Sequence, residues 1–156
     1  MSRLEPNMRE TREIIIRDME RGEEFADWFA DLLLRHDDET GEDTHRDERY
    51  LVLSNEIGDW IGGLRYSLQG GVAQLLELGV APEERHHGHA HRLLEAFEQR
   101  AIEAGAHMAE FWTDDNRSEA FLLALGWQRL VSRPNYIGGR TWFLMEKALV
   151  PGAAED

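Results

Sequence analysis

One stretch decides the fold of this chain, and it reads Val80-Ala-Pro-Glu-Glu-Arg-His-His-Gly-His-Ala-His-Arg92. An apolar strand ends here, and a turn that contains glycine leads into a helix. The N-terminus of a helix leaves about four backbone N–H groups without partners, and the helix dipole makes that end partly positive. Gly88 has no Cβ to hold an anion away from the backbone, and Arg85 adds a fixed positive charge. The stretch therefore predicts a binding loop for a phosphate or pyrophosphate group.

Two common nucleotide-binding designs fit this loop poorly. A P-loop uses Gly-Lys-Ser/Thr to hold phosphate and magnesium, whereas this turn contains neither lysine nor a hydroxyl residue. A dinucleotide-binding fold uses three spaced glycines in a βαβ unit, with an acidic residue about 20 positions later. Here Gly88 stands alone, and the preceding strands follow one another through short turns. The residues therefore favour another kind of phosphate carrier.

Composition limits the classes of protein to which the chain can belong. It has 156 residues, no cysteine and a formal net charge of −14 at pH 7. The length suits one domain, and the lack of cysteine excludes disulfides, zinc–thiolate sites and cysteine nucleophiles. The negative charge argues against nucleic acid as a partner. No apolar run approaches the roughly 20 residues of a membrane span, and no signal peptide is recognised, so we expect a cytoplasmic protein that does not bind membranes.

Hydrophobic spacing predicts an alternation of strands and helices within one domain over 12–149. Residues 1–11 are expected to be flexible, and residues 150–156 to form a polar tail. Strands are expected at 13–17, 50–54, 60–67, 72–80, 107–113, 127–132 and 141–147, and helices at 23–35, at 89–104 and between Asn116 and Gly126. Asn116 is predicted to cap the last helix, with Glu119 as its capping-box partner.

Two adjacent segments of the N-terminal half have distinct residue patterns, the first apolar at helical spacing and the second acidic. The helix at 23–35 places five apolar side chains on one face, which favours packing in the core over a cofactor contact. These side chains are Phe25, Trp28, Phe29, Leu32 and Leu33. The following segment, 36–49, contains seven acidic residues and two arginines. It is predicted to be a solvated loop or a short exposed helix, with a wall that attracts a cationic acceptor as the alternative.

The residues of the binding loop carry a family resemblance. Arg85-His-His-Gly-His-Ala90 matches the Arg/Gln-x-x-Gly-x-Gly/Ala motif of the GCN5-related N-acetyltransferase (GNAT) superfamily. The approach Leu78-Gly-Val-Ala-Pro-Glu83, the later Leu125-Gly-Trp127 and the ending Phe143-Leu-Met-Glu-Lys147 also resemble that family. The resemblance spans 12–149 and implies an α/β fold. That fold has a mixed, mostly antiparallel sheet of about seven strands, with helices on both faces and a splayed wedge that binds CoA.

The resemblance implies that acetyl-CoA is the acyl donor and that it lies in this wedge. Its pantetheine arm would pair with backbone groups of Leu78, Gly79 and Val80 like an added strand. The amide near Leu78 would polarise the thioester carbonyl. By the same similarity, Asn116 contacts the cofactor arm. Backbone amides beside Arg85 would receive the pyrophosphate, and they belong to His86, His87, Gly88, His89, Ala90 and His91.

Attack of a neutral amine on the thioester requires a group that removes a proton. Glu110 stands in mid-strand among apolar residues, where a partly buried carboxylate is a suitable base. Its spacing from Gly126 resembles that of the base in the ribosomal-protein N-terminal acetyltransferases. Glu77, on the strand expected to bind the donor, is the alternative base. Either residue can equally be an exposed or ion-paired strand carboxylate.

The residues define the proton donor to the departing thiolate less clearly than they define the base. Many family members have a tyrosine four residues before the glycine of Leu-Gly-Phe, and Leu122 stands at that position here. Tyr136, in the loop between the last two strands, can reach the same space, or it can line the acceptor pocket. The thiolate can otherwise take its proton from solvent.

The histidines of the loop raise a metal-binding hypothesis. His87 and His91 would share a helix face, but neither an adjacent glutamate nor a third ligand at fixed spacing follows, so we expect no metal. The predicted activity is transfer of acetyl from acetyl-CoA to a primary amine of a small molecule or a peptide N-terminus. The alternatives are a longer acyl donor, a CoA-binding sensor without catalysis and a histidine-rich metal-binding protein. The oligomeric state stays open, with a homodimer included.

Overall fold

A computed structural model describes residues 13–19, 22–41 and 45–150 of the chain. Its contacts separate two compact units, residues 1–42 and 43–156, and each is described by itself. The predicted flexible N-terminus and most of the predicted tail lie outside the described residues, and the single domain over 12–149 stays a prediction. Among the described residues, no helix combines the length and the apolar character needed to cross a membrane.

The described residues of the first unit contain a helix but no strand. Residues 13–19 have no regular secondary structure, so the predicted strand at 13–17 is wrong. A strand forms only when its backbone N–H and C=O groups pair with a neighbour, and the β-propensity of isoleucine does not supply one. The side chains of Ile14 and Ile16 are fully exposed there.

The helix of this unit, α1 (Glu23–Thr40), extends beyond its predicted end at residue 35. Gly41 adopts a left-handed conformation, and its N–H bonds to the carbonyl of Asp37, which closes the helix. The prediction of an exposed helix after residue 35 is therefore confirmed as far as Thr40. The predicted core face is wrong, since no residue of α1 is buried and Trp28 is 53% exposed. Within the described residues of this unit, no second helix or strand covers that face.

The described residues of the second unit form one six-stranded sheet and two α-helices. The strands are β1 (Asp47–Ser54), β2 (Trp60–Gln69), β3 (Val72–Val80), β4 (Met108–Thr113), β5 (Gln128–Arg133) and β6 (Trp142–Ala148). The helices are α2 (His89–Glu103) and α3 (Asn116–Ala124), with 3₁₀ turns at Pro82–Glu84 and Ile137–Gly139. All six strands were predicted, with ends that differ by a few residues. The expected sheet of about seven strands therefore has six.

The sheet is mixed, with the spatial order β1-β2-β3-β4-β6-β5. The first three strands form the predicted antiparallel meander, and β6 runs antiparallel to both β4 and β5. β3 and β4 run parallel and pair over only three residues, Val72–Gln74 against Met108–Glu110. Beyond Gln74 the two strands separate, so one edge of β3 has no strand beside it as far as Val80. This separation agrees with the splay that the family resemblance implied, and the binding of CoA there stays a prediction.

Both helices of this unit pack on the same face of the sheet. Leu94 and Phe97 of α2 and Leu122 of α3 are buried in one cluster with strand residues such as Tyr66 and Met145. The Tyr66 ring meets Phe97 edge to face, with 5.3 Å between centroids, which is a favourable aromatic geometry. The prediction of helices on both faces stays a prediction, because α1 belongs to the other unit.

Helix α3 is capped one residue earlier than predicted. The Asp115 carboxylate accepts the N–H of Arg117 at 3.0 Å, so Asp115 rather than Asn116 is the N-cap. Glu119, the predicted capping-box partner, turns to the sheet instead. Its buried carboxylate accepts hydrogen bonds from Arg129 of β5 at 2.5 and 2.7 Å. These bonds hold the pKa of Glu119 below its ordinary 4.5, and they fasten α3 to the sheet.

Replacement of Glu119 by glutamine tests this attachment. The change removes the charge and keeps the shape, and Arg129 is partly exposed (42% of its side chain) and can be hydrated. We therefore expect the free energy of unfolding in urea to fall by about 1–2 kcal/mol near neutral pH. Because pairing lowers the pKa of Glu119, its contribution is present above pH 4.5 and is lost as the pH falls through the folded-state pKa.

Glu56→Gln is the matched control, since Glu56 lies exposed in the turn between β1 and β2. We expect its free energy of unfolding to change by less than about 0.5 kcal/mol. At a pH below the folded-state pKa of Glu119, wild type and Glu119→Gln should become equally stable, because the carboxylate is then protonated in both the folded and the unfolded state. Equal losses in Glu119→Gln and Glu56→Gln at neutral pH would show that the ion pair does not hold α3.

Candidate active site

The loop between β3 and α2 has the backbone shape of an anion-binding turn. His86 and Gly88 both adopt positive φ angles, of 68° and 79°. A residue with a Cβ is strained in that region, and such strain is concentrated at functional sites. Residues that alternate between left-handed and right-handed conformations turn successive N–H groups toward one point. Gly88 is also the N-cap of α2, so the free amides of the first helical turn belong to the same loop.

A cavity of about 520 Å³ lies at this loop. It collects most of the residues predicted to bind the donor, and its lining consists of Leu78, Gly79, Val80, Glu84, Arg85, His86, Gly88, His89, Ala90, His91 and Phe121. His87 is exposed and is not part of this lining. The Arg85 Nε donates to the Val80 carbonyl at 3.2 Å, which ties the guanidinium to the end of β3.

A second cavity, of about 260 Å³, adjoins the first and shares Leu78, Ala90 and Phe121 with it. Its other lining residues are Leu75, Leu94, Phe111, Arg117, Ser118 and Leu122. Phe111 lies on β4 beyond the point at which β3 and β4 separate, so this cavity occupies the gap between them. An extended ligand in the gap can bond to the unpaired edge of β3 as an added strand does.

Helix α3 contributes three lining residues that were not predicted from the sequence: Arg117, Ser118 and Phe121. Their mutual spacing is the signal that could have found them. Phe121 follows Ser118 by three residues and Arg117 by four, and positions three and four apart share a helix face. Leu122 itself is buried, so the usual tyrosine position presents hydrocarbon to the cavity. Asn116 is exposed and lines neither cavity, and its contact with the cofactor arm stays a prediction.

Glu110 lies on the sheet face opposite α2 and α3. Its neighbours Ala109 and Phe111 belong to the core on the helix side, and side chains alternate along a strand. Glu110 is half-buried and is the last residue of β4 that pairs with β3, so it stands where the gap opens. The register of β6 places Glu146 directly opposite it. Glu110 lines neither of the two cavities, and its role as the base stays a prediction.

An aromatic cluster continues this face beyond Glu110. The Tyr136 ring lies 5.4 Å from that of Trp112 and 6.3 Å from that of Trp142, between centroids. The Arg133 guanidinium lies 4.4 Å from the Tyr136 centroid. Trp112 follows Glu110 by two residues on the same strand, and such residues share a face. The structure thus brings Tyr136 to the same face as the predicted base.

Glu77, the alternative base, is held in an ion-pair network. The Arg65 Nε donates to Glu77 Oε1 at 2.8 Å, and Arg65 Nη1 donates to Glu48 Oε1 at 3.1 Å. Pairing with Glu77 raises the pKa of Arg65 above its ordinary value. Protonation of Glu77 would break this pair, whereas among the described residues the Glu110 carboxylate forms no ion pair. The geometry therefore favours Glu110 over Glu77 as a base.

Two other features lie outside this arrangement. A groove of about 900 Å³ runs along α2 and the end of β6, and it contains the ion pair between Lys147 and Glu98. Of the predicted site residues, only His91 lines it, and the His91 ring bonds to Glu95. Within the part of the chain that the structure describes, no group of three or more His, Asp or Glu side chains is arranged to hold a metal ion.

Comparison with known proteins finds one family and several similar folds. The model of the Acetyltransferase (GNAT) family matches residues 9–127. A structure from Agrobacterium tumefaciens, assigned as an acetyltransferase, has a TM-score of 0.70 and 19% identity over 87% of this chain and 98% of that chain. An acetyltransferase from Bacillus cereus has a TM-score of 0.68 and 18% identity, over 88% and 98%.

The ribosomal-protein-S18-alanine N-acetyltransferase from Escherichia coli is also similar in fold. Its TM-score is 0.60, with 18% identity over 65% of this chain and 69% of that chain. At these identities the solved structures show the fold alone. No curated protein matches the chain.

Replacement of Gly88 tests the loop. Alanine in the left-handed conformation costs about 1–2 kcal/mol, and relief of that strain would turn the backbone N–H groups away from their common point. We expect Gly88→Ala to bind CoA about tenfold more weakly in isothermal titration calorimetry.

Gly58→Ala is the matched control, in the turn between β1 and β2. Gly58 also has a positive φ, and nothing lies within 4 Å of a Cβ placed at either glycine. Both variants should therefore lose similar stability in urea, and only Gly88→Ala should lose affinity. If CoA binds Gly58→Ala and Gly88→Ala equally weakly, the loop has no direct role in binding.

Proposed function

Because this chain belongs to the GNAT family of acetyltransferases, we propose that it transfers an acetyl group from acetyl-CoA to a primary amine of a small molecule or a peptide. The family makes the chain an acyltransferase, and the acetyl donor and the amine acceptor are the proposal. The observation that carries it is the gap between β3 and β4, which leads from a loop with free amides to Glu110. The thioester is already activated, so the protein needs no nucleophile of its own.

The chemistry of CoA suits both the edge of β3 that faces the gap and the loop that follows β3. Pantetheine is extended and carries amide groups, which suit the edge of β3 that faces the gap at Leu78, Gly79 and Val80. The negative pyrophosphate suits the free N–H groups of the loop and the charge of Arg85. With a net charge of −14, the chain repels anions as a whole, so these local donors must supply the attraction. The amide near Leu78 is proposed to stabilise the charge that develops on the thioester oxygen.

Glu110 is the proposed base. An ammonium group has no lone pair, so a proton must pass to a carboxylate or to water before the nitrogen can attack the thioester carbon. The new C–N bond forms and the C–S bond breaks, and the departing thiolate then takes up a proton. Glu110 is supported by its place at the opening of the gap and by the ion pair that occupies Glu77.

Tyr136 is the proposed proton donor to the thiolate, with a place in the acceptor pocket as the alternative. Leu122 carries no proton to donate, so the acid must come from another element or from water. The contact of Tyr136 with Trp112 supports its presence on the face that Glu110 borders. The same aromatic rings suit an amine that is attached to an apolar or aromatic group.

Both proposed kinds of acceptor occur among proteins of similar fold. One such structure is named as the acetyltransferase for the alanine of ribosomal protein S18. Another is named nourseothricin acetyltransferase. These names support a peptide N-terminus and a small molecule, respectively, as the acceptor of this chain.

Binding of CoA is the first test of the proposal. We expect CoA at 100 times its dissociation constant to stabilise the folded chain by about 2.7 kcal/mol, since it binds the folded state alone. Thermal melting with and without CoA measures this shift. The shift should survive a chelator, whereas a shift that requires added metal would favour the metal-binding hypothesis.

Turnover of Glu110→Gln is the second test. We expect kcat for release of thiol from acetyl-CoA, in a screen of amines and peptide N-termini, to fall about 10²- to 10⁴-fold. Tyr136→Phe should lower kcat as well if the phenol donates a proton. Glu146→Gln is the matched control, because Glu146 pairs with Glu110 across the strands and has no assigned role. Unchanged turnover in both Glu110→Gln and Tyr136→Phe would remove these catalytic assignments.

The buried Leu122 favours a second candidate function, a CoA-binding sensor that has lost catalysis. A hydrocarbon at the usual tyrosine position removes one proton donor without closing the cavity that Leu122 lines. CoA binding without thiol release across the amine screen would support the sensor. Thiol release that depends on one added amine would exclude it.

A further inference from the structure

A third cavity, of about 450 Å³, lies over the first three strands, and the proposed function does not yet use it. Its lining consists of Tyr50, Leu51, Val52, Gly63, Leu64, Arg65, Glu77, Leu78 and Gly79. Leu78 and Gly79 also line the cavity of about 520 Å³ at the loop. The third cavity, called the depression below, therefore meets the stretch of β3 beside which the thioester of the donor is proposed to lie.

Two glycines create the depression. Gly63 of β2 and Gly79 of β3 are paired in register. Their neighbours Leu64 and Leu78 pack in the core that α2 and α3 cover. Because side chains alternate along a strand, both glycines face the opposite side of the sheet. Two adjacent positions on that side thus carry no side chain, and Val52 of β1, the register partner of Gly63, borders them.

The fold explains one of these glycines but not the other. A Cβ at Gly63 would lie 2.7 Å from the Leu51 carbonyl oxygen, so the close approach of β1 requires glycine there. Gly79 has no positive φ. Among the described residues other than its chain neighbours, no atom comes within 4 Å of a Cβ placed on Gly79. A larger side chain at this position would therefore fit the strand, but it would project into the depression.

One wall of the depression is negative, and the other is apolar and aromatic. Arg65 donates to both Glu77 and Glu48, so one guanidinium is shared by two carboxylates and one negative charge is left over. On the other side, Tyr50 and Val52 are exposed. An ammonium group suits the negative wall, and a compact apolar group suits the other. A carboxylate next to the amine would be repelled.

We propose that the depression holds the group attached to the acceptor amine, and that the lack of a side chain at Gly79 sets the size of the group that fits. This rests on the proposed function, which supplies the thioester beside Leu78. The acceptor is then a small primary amine with a compact apolar group and without a carboxylate next to its nitrogen. Its ammonium group is drawn to Glu77, and its apolar part contacts Val52 and Tyr50.

Turnover of amines of different size tests this assignment. The measured quantity is the ratio of kcat/KM for benzylamine to kcat/KM for ethylamine. Acetyl-CoA is the donor for both amines, so an effect on the donor cancels in the ratio. Gly79→Val should lower the ratio about tenfold or more, because the added side chain occupies the space of the ring. Val52→Phe should lower it from the opposite wall, and Val52→Ala should raise it.

Val131→Phe is the matched control. Val131 is also an exposed valine on an edge strand, β5, and it is not part of the lining of the depression. This variant should keep the ratio of the wild type. Phenylglycine, which is benzylamine with an added carboxylate, should react with the wild type at least about tenfold less efficiently than benzylamine. Equal or better turnover of phenylglycine would overturn the proposed class of acceptor.

The outcomes separate this role from the proposed function. If the wild type releases no thiol with any amine, the proposed function itself is overturned. Thiol release with equal ratios in wild type, Gly79→Val and Val52→Phe would overturn only the role of the depression. Melting curves show which variants fold, and Val52→Phe decides if Gly79→Val does not fold.

The acyl group of the donor is the rival occupant of the depression. Turnover of acetyl-CoA and butyryl-CoA with ethylamine as the common acceptor distinguishes it. If Gly79→Val changes the preference between these donors and leaves the ratio of the amines unchanged, the depression holds the acyl chain and the proposal is wrong.

Discussion

The separation of β3 from β4 is the constraint on which the rest of the molecule depends. The two strands pair over three residues, Val72–Gln74 on β3, and one edge of β3 then stays without a strand as far as Val80. Buried backbone groups without partners are costly, so a fold that keeps such an edge must cover it or offer it to a ligand. Here the edge borders a cavity, and the loop that follows it ends in a helix N-terminus.

The gap persists because the elements on its two sides are held by different neighbours. β3 is paired with β2 along its length, and β4 with β6. Arg129 of β5 holds α3 through Glu119, and its guanidinium lies 3.9 Å from the centroid of Phe143. Lys147 of β6 donates to the carbonyl that follows α3 and pairs with Glu98 of α2. Such attachments fix a binding geometry before a ligand arrives, which lowers the entropy that binding costs.

Local patterns predicted the second unit well and the first unit poorly. The strands and helices of residues 43–156 lie within a few residues of their predicted positions, because alternation, turns and helix stops are local signals. The strand at 13–17 and the buried face around Trp28 were wrong. Apolar spacing shows that a face suits burial, but it does not show which surface covers that face. The cap of α3 was misplaced from Asp115 to Asn116, since both residue types cap helices well and the backbone angles choose between them.

The sequence by itself determined the shape of the loop that we propose binds an anion, because the residues that shape it are adjacent in the chain. Gly88 provides the backbone conformation, Arg85 provides charge, and the next residues begin a helix, so no distant contact is needed. Only the tertiary structure distinguished the two carboxylates that are candidates for the base. It placed Glu110 where the gap opens and bound Glu77 to Arg65. Strand register and ion pairing relate residues on different strands, and no local pattern in the chain contains such relations.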